Sequence, residues 1–92
     1  MVGVIALLLA FFLQISKLDW VIIIFLIGFV VSLELTNTAI EAVVDHFTDK
    51  KHLGAKLAKD ISAAAVLVAA ITSVVVGALI FLPYLLKPFL FK

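Results

Sequence analysis

The stretch ISAAAVLVAAITSVVVGALIFL, residues 61–82, runs for twenty-two residues without a charge. As an α-helix it reaches ~33 Å, enough to cross the ~30 Å hydrocarbon core of a bilayer unaided. That run decides the fold class, and the rest of the chain agrees with it. The hydrophobic fraction is 66% and the mean hydropathy +1.38, far above soluble usage. At 92 residues the chain makes one domain at most. The expectation is an all-α integral membrane protein with three transmembrane helices.

Working outward, residues 20–33 also carry no charge, and a helical pattern continues from them to about Phe47. Residues 2–13 are unbroken apolar sequence, followed by Gln14 and Ile15. Fourteen helical residues reach only ~21 Å, so this first segment looks clipped at its start. Ser16-Lys17-Leu18-Asp19 is a tight polar turn with Ser16 as N-cap. Trp20 fits an interfacial anchor. Pro83 is expected to stop or kink the last helix. The expected helices are thus about 2–15, 19–47 and 54–83, with residues 84–92 as an interfacial tail. Gly28 and Gly77 suit close-packing points between helices.

Orientation follows from lysines. The middle connection holds Lys50, Lys51, Lys56 and Lys59, against Lys17 alone in the first turn. The positive-inside rule places residues 46–59 in the cytoplasm of a multi-pass protein of the cell's cytoplasmic (inner) membrane. Lys87 and Lys92 weaken the bias without reversing it. A formal charge of +1 and the lack of a basic, aromatic-interleaved run argue against nucleic acid as a partner. The absence of Cys excludes disulfides and thiolate metal sites. With no basic n-region and no small-residue cleavage site, a removable signal peptide is not expected.

The chemistry lies where the second apolar run ends. Glu34, Asn37, Glu41 and Asp45 are offset by three, seven and eleven residues, which returns them to nearly one side of a helix. Three carboxylates on one stripe repel each other and are costly near lipid. Glu34 falls at the inner edge of the hydrocarbon, where desolvation favours a protonatable carboxyl suited to general-base work. Glu41, nearer water, suits Mg²⁺, which takes one or two protein carboxylates plus phosphate oxygens. The competing reading is a polar seam that hydrogen-bonds neighbouring helices, with its acids protonated.

Lys59 and Asp60 lie at the cytoplasmic mouth of the third segment. A lysine there can neutralise phosphate charge and the aspartate can accept from a base or ribose; the bland alternative is a snorkelling lysine beside a helix-end charge. His46 and His52 flank the connection and fit ordinary interfacial residues. No His-Glu-x-x-His or Cys/His cluster supports zinc. No Walker-type loop or protein-kinase signature is present. A nucleotide site here must therefore differ from the common kinase folds.

Read as a string, Glu34-Leu-Thr-Asn-Thr-Ala-Ile-Glu-Ala-Val-Val-Asp45 resembles the signature of the small bacterial membrane lipid kinases, the prokaryotic diacylglycerol kinase and undecaprenol kinase family. A second block, His52-Leu-Gly-Ala-Lys-Leu-Ala-Lys59-Asp60-Ile-Ser-Ala-Ala-Ala-Val-Leu67, is similar at the family's spacing from the first. The resemblance covers roughly residues 16–83. It implies three transmembrane helices per protomer plus an N-terminal amphipathic helix, a homotrimer, and active sites between protomers at the cytoplasmic interface. It implies ATP-dependent phosphorylation of a membrane lipid alcohol, undecaprenol or diacylglycerol, with Mg²⁺ accompanying ATP. Glu34 matches the base that deprotonates the lipid hydroxyl. Glu41 matches a ligand of the metal that accompanies the nucleotide, and Asn37 and Asp45 match polar partners of the site. His52, Lys59 and Asp60 match nucleotide-holding positions. The Phe81-Leu-Pro83 ending looks more like the undecaprenol kinase branch.

Members of that family carry a further segment ahead of the point where this chain starts. It supplies the amphipathic helix, basic residues near the phosphates and an acid that shares the metal with the Glu41 counterpart. An N-terminally truncated, catalytically impaired member is therefore the alternative expectation. A small proton- or cation-coupled transporter is the remote one, because its site belongs near the midplane and these acids cluster at one end.

Overall fold

The computed structural model describes residues 2–48 and 52–90. They form three helices, α1 (Val2–Leu13), α2 (Lys17–Phe47) and α3 (Leu53–Leu90), with no strand among the described residues. Asp49, Lys50 and Lys51 of the polar connection, and Lys92 of the tail, lie outside them. Two of the helices, α2 and α3, are long and apolar enough to cross a membrane. α1 is equally apolar, but its 12 residues reach only about 18 Å, less than a bilayer core. Large apolar side chains stand in the open along all three helices: Phe12 is 76% exposed, Phe25 66% and Leu79 71%. Water tolerates no such continuous apolar surface, whereas lipid does.

The described residues divide into two compact units. The first comprises residues up to Gly28 together with those from Thr72 onward. Its core is Ala10, Ile15, Ile23, Ile80 and Phe81, with Leu9, Leu13, Trp20, Ile27 and Val76 packed around it. Trp20 thus turns part of its ring into this core rather than serving only as a surface anchor.

α1 ends at Leu13 rather than at residue 15, and the reason is local. Gln14 adopts φ 52°, the left-handed region. Its N–H donates to the Phe11 carbonyl at 3.3 Å and the Ile15 N–H to the Ala10 carbonyl at 3.4 Å. These are the two bonds of a Schellman termination, here built without the usual glycine. The apolar contact that accompanies such an ending is present too, since Ala10 and Ile15 share the core.

Ser16 caps α2 as its position predicts. Its Oγ accepts from the Asp19 N–H at 3.1 Å, and its carbonyl receives the first helical bond, from Trp20 at 3.0 Å. α2 therefore begins at Lys17, two residues before the expected start. Tyr84 closes this corner: its hydroxyl accepts from the Ser16 N–H at 3.0 Å and donates to Asp19 Oδ2 at 2.7 Å. That contact explains a second departure. α3 does not stop at Pro83 but continues to Leu90, so residues 84–90 are helix rather than a separate tail. Proline costs its helix one backbone bond, a loss that neighbouring groups offset in membrane helices. Here Tyr84, the next residue, is tied to the α1–α2 turn and holds the chain on its helical course.

Gly28 and Gly77 do not pack as expected. A Cβ built on either meets no atom within 4 Å, so neither marks a close approach of helices inside this chain.

Candidate active site

The second unit, residues 29–71, joins the C-terminal half of α2 to the N-terminal half of α3. Ala69 is its one buried apolar residue among those described. Two polar contacts join the two helix segments in addition to their half-buried apolar residues. Ser62 Oγ on α3 donates to Asn37 Oδ1 on α2 at 2.6 Å, and lies 3.0 Å from the Lys59 carbonyl of its own helix. Lys59 Nζ donates to Asp45 Oδ1 at 2.8 Å as a half-exposed ion pair. Glu41 and Asp60 add further negative charge around the same ammonium.

The rest of the stripe is separated by what its neighbours do. Thr36 Oγ1 donates to the Ser32 carbonyl at 2.8 Å and Thr38 Oγ1 to the Glu34 carbonyl at 3.0 Å. Both hydroxyls are thereby satisfied by their own helix, as is common for threonine inside helices. Glu34 is exposed and Glu41 half-buried; neither carboxylate makes a hydrogen bond among the described residues, and Glu41 acts on the Lys59 ammonium by charge alone. Glu34, Asn37, Glu41 and Asp45 thus divide into two kinds. Asn37 and Asp45 hold α3, whereas Glu34 and Glu41 keep their oxygens available.

His52 takes a role that sequence reading did not foresee. Its Nδ1 accepts from the Ala55 N–H at 3.0 Å, capping the start of α3. The ring lies over Gly54, where an added Cβ would come within 3.1 Å of Cε1. A glycine there gives the imidazole room to reach the cap.

A hollow of about 370 Å³ opens between the facing ends of α2 and α3, walled by Asp45, His52, Lys56, Lys59 and Asp60 together with Val44, Thr48 and Ala55. That volume suits a small-molecule ligand. The structure therefore gathers His52, Lys59, Asp60 and Asp45 around one concavity, while Glu34, Asn37 and Glu41 do not line it. Lys56 and Ser62 were missed by motif reading. Helical spacing alone could have found Lys56, which sits four residues after His52 and three before Lys59. Nothing in the sequence signals the Ser62 contact across helices.

Among the described residues no group of three His, Cys, Asp or Glu forms a metal-binding cluster. Glu41 contributes one carboxylate, which fits a hard cation already carried by phosphate oxygens and water.

Comparison with known proteins follows this geometry. The family model described as prokaryotic diacylglycerol kinase matches residues 1–81. An undecaprenol kinase of Bacillus subtilis is 55% identical over 75 residues, which is 82% of this chain and 61% of that protein. A diacylglycerol kinase of Synechocystis is 52% identical over 59 residues, 63% of this chain and 34% of that one. The chain thus spans between a third and two thirds of the length of these relatives. No solved structure matches it. A family match that takes in both the α2 stripe and the α3 residues around the hollow leaves one conclusion: the chain belongs to the prokaryotic diacylglycerol kinase family.

Proposed function

We propose that this chain phosphorylates a membrane lipid alcohol with ATP at the cytoplasmic face of the membrane. The observation that carries the reading is the division of labour on α2. Glu34 and Glu41 keep their carboxylates available on the face whose other polar members grip α3. Toward the C-terminal end of α2 lies a hollow walled by two lysines, Lys56 and Lys59.

In this reading Glu34 takes the proton of the lipid hydroxyl, and the resulting oxygen attacks the γ-phosphorus of ATP. The new O–P bond forms as the bond to the β–γ bridging oxygen breaks, and ADP leaves with that electron pair. Glu41 would hold the Mg²⁺ that accompanies the nucleotide, and that ion would supply positive charge to neutralise phosphate oxygens. Lys59 and Lys56 face the phosphates, Asp60 and His52 the remainder of the nucleotide, and Asn37 and Asp45 keep the α2 face in place. Catalysis is mainly positioning and charge neutralisation.

Residues 46–59 face the cytoplasm, as their lysines direct. Three membrane spans per protomer and a homotrimer with sites between protomers complete the arrangement. The open surfaces at Gly28 and Gly77 leave room for a second chain to approach closely. Undecaprenol is the preferred acceptor, supported by the longer match to the relative named for that lipid.

The test is transfer of labelled phosphate from ATP to undecaprenol and to diacylglycerol in mixed micelles. Mg²⁺-dependent labelling, faster on undecaprenol, is expected. Labelling of neither lipid would end this proposal.

A further inference from the structure

We propose that Asp45 competes with nucleotide phosphate for Lys59, so that the ion pair joining α2 to α3 is a tie that phosphate releases. This rests on the kinase reading above. Lys59 Nζ donates to Asp45 Oδ1 at 2.8 Å, and both side chains wall the hollow. To an ammonium, a carboxylate oxygen and a phosphate oxygen are the same kind of partner, an anionic acceptor at charge-assisted distance. A phosphate oxygen that reaches Lys59 from the hollow therefore arrives beside Asp45.

An ammonium has three protons to give, so phosphate could in principle add to Asp45 instead of replacing it. Charge decides between the two. Acceptors sharing one nitrogen stand only ~4–5 Å apart, where a doubly charged phosphate and a carboxylate repel strongly. An ion pair this open to solvent holds its partner weakly. Repulsion outweighs the pair, and replacement wins. The Asp45 side chain is 59% exposed, so the released carboxylate passes into water and not into a buried site. The other tie between these helix segments differs on both counts. Asn37–Ser62 is half-buried and neither residue walls the hollow, so it stays closed when phosphate enters. Asp45 thus places Lys59 at the wall of the hollow and yields it to the incoming anion.

Titration calorimetry with inorganic tripolyphosphate on the full chain in detergent tests this. Asp45→Asn keeps the shape of the side chain and removes its charge. It should bind tripolyphosphate more tightly than the parent. That gain should exceed, by about two- to fivefold, any gain the same change gives in a Lys59→Met background. Asp45→Ser, which also carries no charge, should tighten binding in the same way and decides the matter if Asp45→Asn does not fold. Unchanged or weaker binding would make Asp45 a support for Lys59 and overturn the proposal. Equal gains in the two backgrounds would reduce the effect to general charge removal, and overturn it too. So would the absence of binding in parent and variant alike. If the parent phosphorylates neither lipid, the kinase reading fails, while the tripolyphosphate titration still decides the competition.

Discussion

Each unit of this chain has its own internal ties, and they differ in kind. Residues up to Gly28 with those from Thr72 form an apolar core around Ala10, Ile23 and Ile80, closed by one polar corner at Ser16, Asp19 and Tyr84. Among the described residues of 29–71, Ala69 is the one fully buried apolar side chain, and Asn37–Ser62 and Asp45–Lys59 add polar ties. The contrast teaches where each kind of residue can be spared. Polar groups that grip a neighbouring helix hold a site open, because a packed core would fill the space the substrate needs. Apolar packing supplies rigidity and leaves nothing for chemistry.

Substitutions can break or sharpen that contrast. Glu34→Gln should show the largest effect, a loss of about 10²–10⁴ in kcat as expected for a general base. Its unfolding midpoint in detergent should not move, because the carboxylate is exposed and grips nothing. A matching loss of stability would place Glu34 among the gripping residues and blur the distinction.

Ile23→Ala, in the apolar unit, should destabilise by about 2 kcal/mol. Lipid is as apolar as the core, so the loss reflects the cavity and its missing contacts rather than transfer to water. Val66→Ala, half-buried in the polar-tied unit, should cost under about 1 kcal/mol by the same reasoning. Denaturant titration in one detergent compares the two directly, and equal costs would remove the asymmetry.

Tyr84→Phe strips the Asp19 carboxylate and the Ser16 N–H of a shared partner, and should cost about 1–2 kcal/mol. Lipid phosphorylation measured well below the new midpoint should stay at the parent rate, since the substitution falls in the other unit. Smallest of all, Gln14→Gly should raise stability by about 0.5–1 kcal/mol, by relieving a left-handed residue at the end of α1.

The elements were legible in sequence wherever an apolar run or a cap is written in consecutive residues. The end of α2 at Phe47 and the Ser16 cap are of this kind. The ends of α1 and α3 were not, since each depends on something sequence pattern does not print. Gln14 takes a conformation normally reserved for glycine, and Pro83 is carried through by a bond spanning 65 residues from Tyr84 to Asp19. The acidic stripe was legible because its spacing is helical and its cost near lipid is high. Its division into gripping and available members was not, because Ser62, 25 residues from Asn37, gives no motif of its own.

The cap at the start of α3 has a consequence for what His52 can say to a ligand. Its Nδ1 receives the Ala55 N–H and therefore carries no proton. In the neutral imidazole the proton must then sit on Nε2, which fixes the tautomer. In that tautomer the other ring nitrogen of His52, a residue that lines the hollow, can only donate. It can satisfy a phosphate oxygen or a lone pair on a purine ring. It cannot accept from an amino group or bind a cation without surrendering either that proton or the first turn of α3.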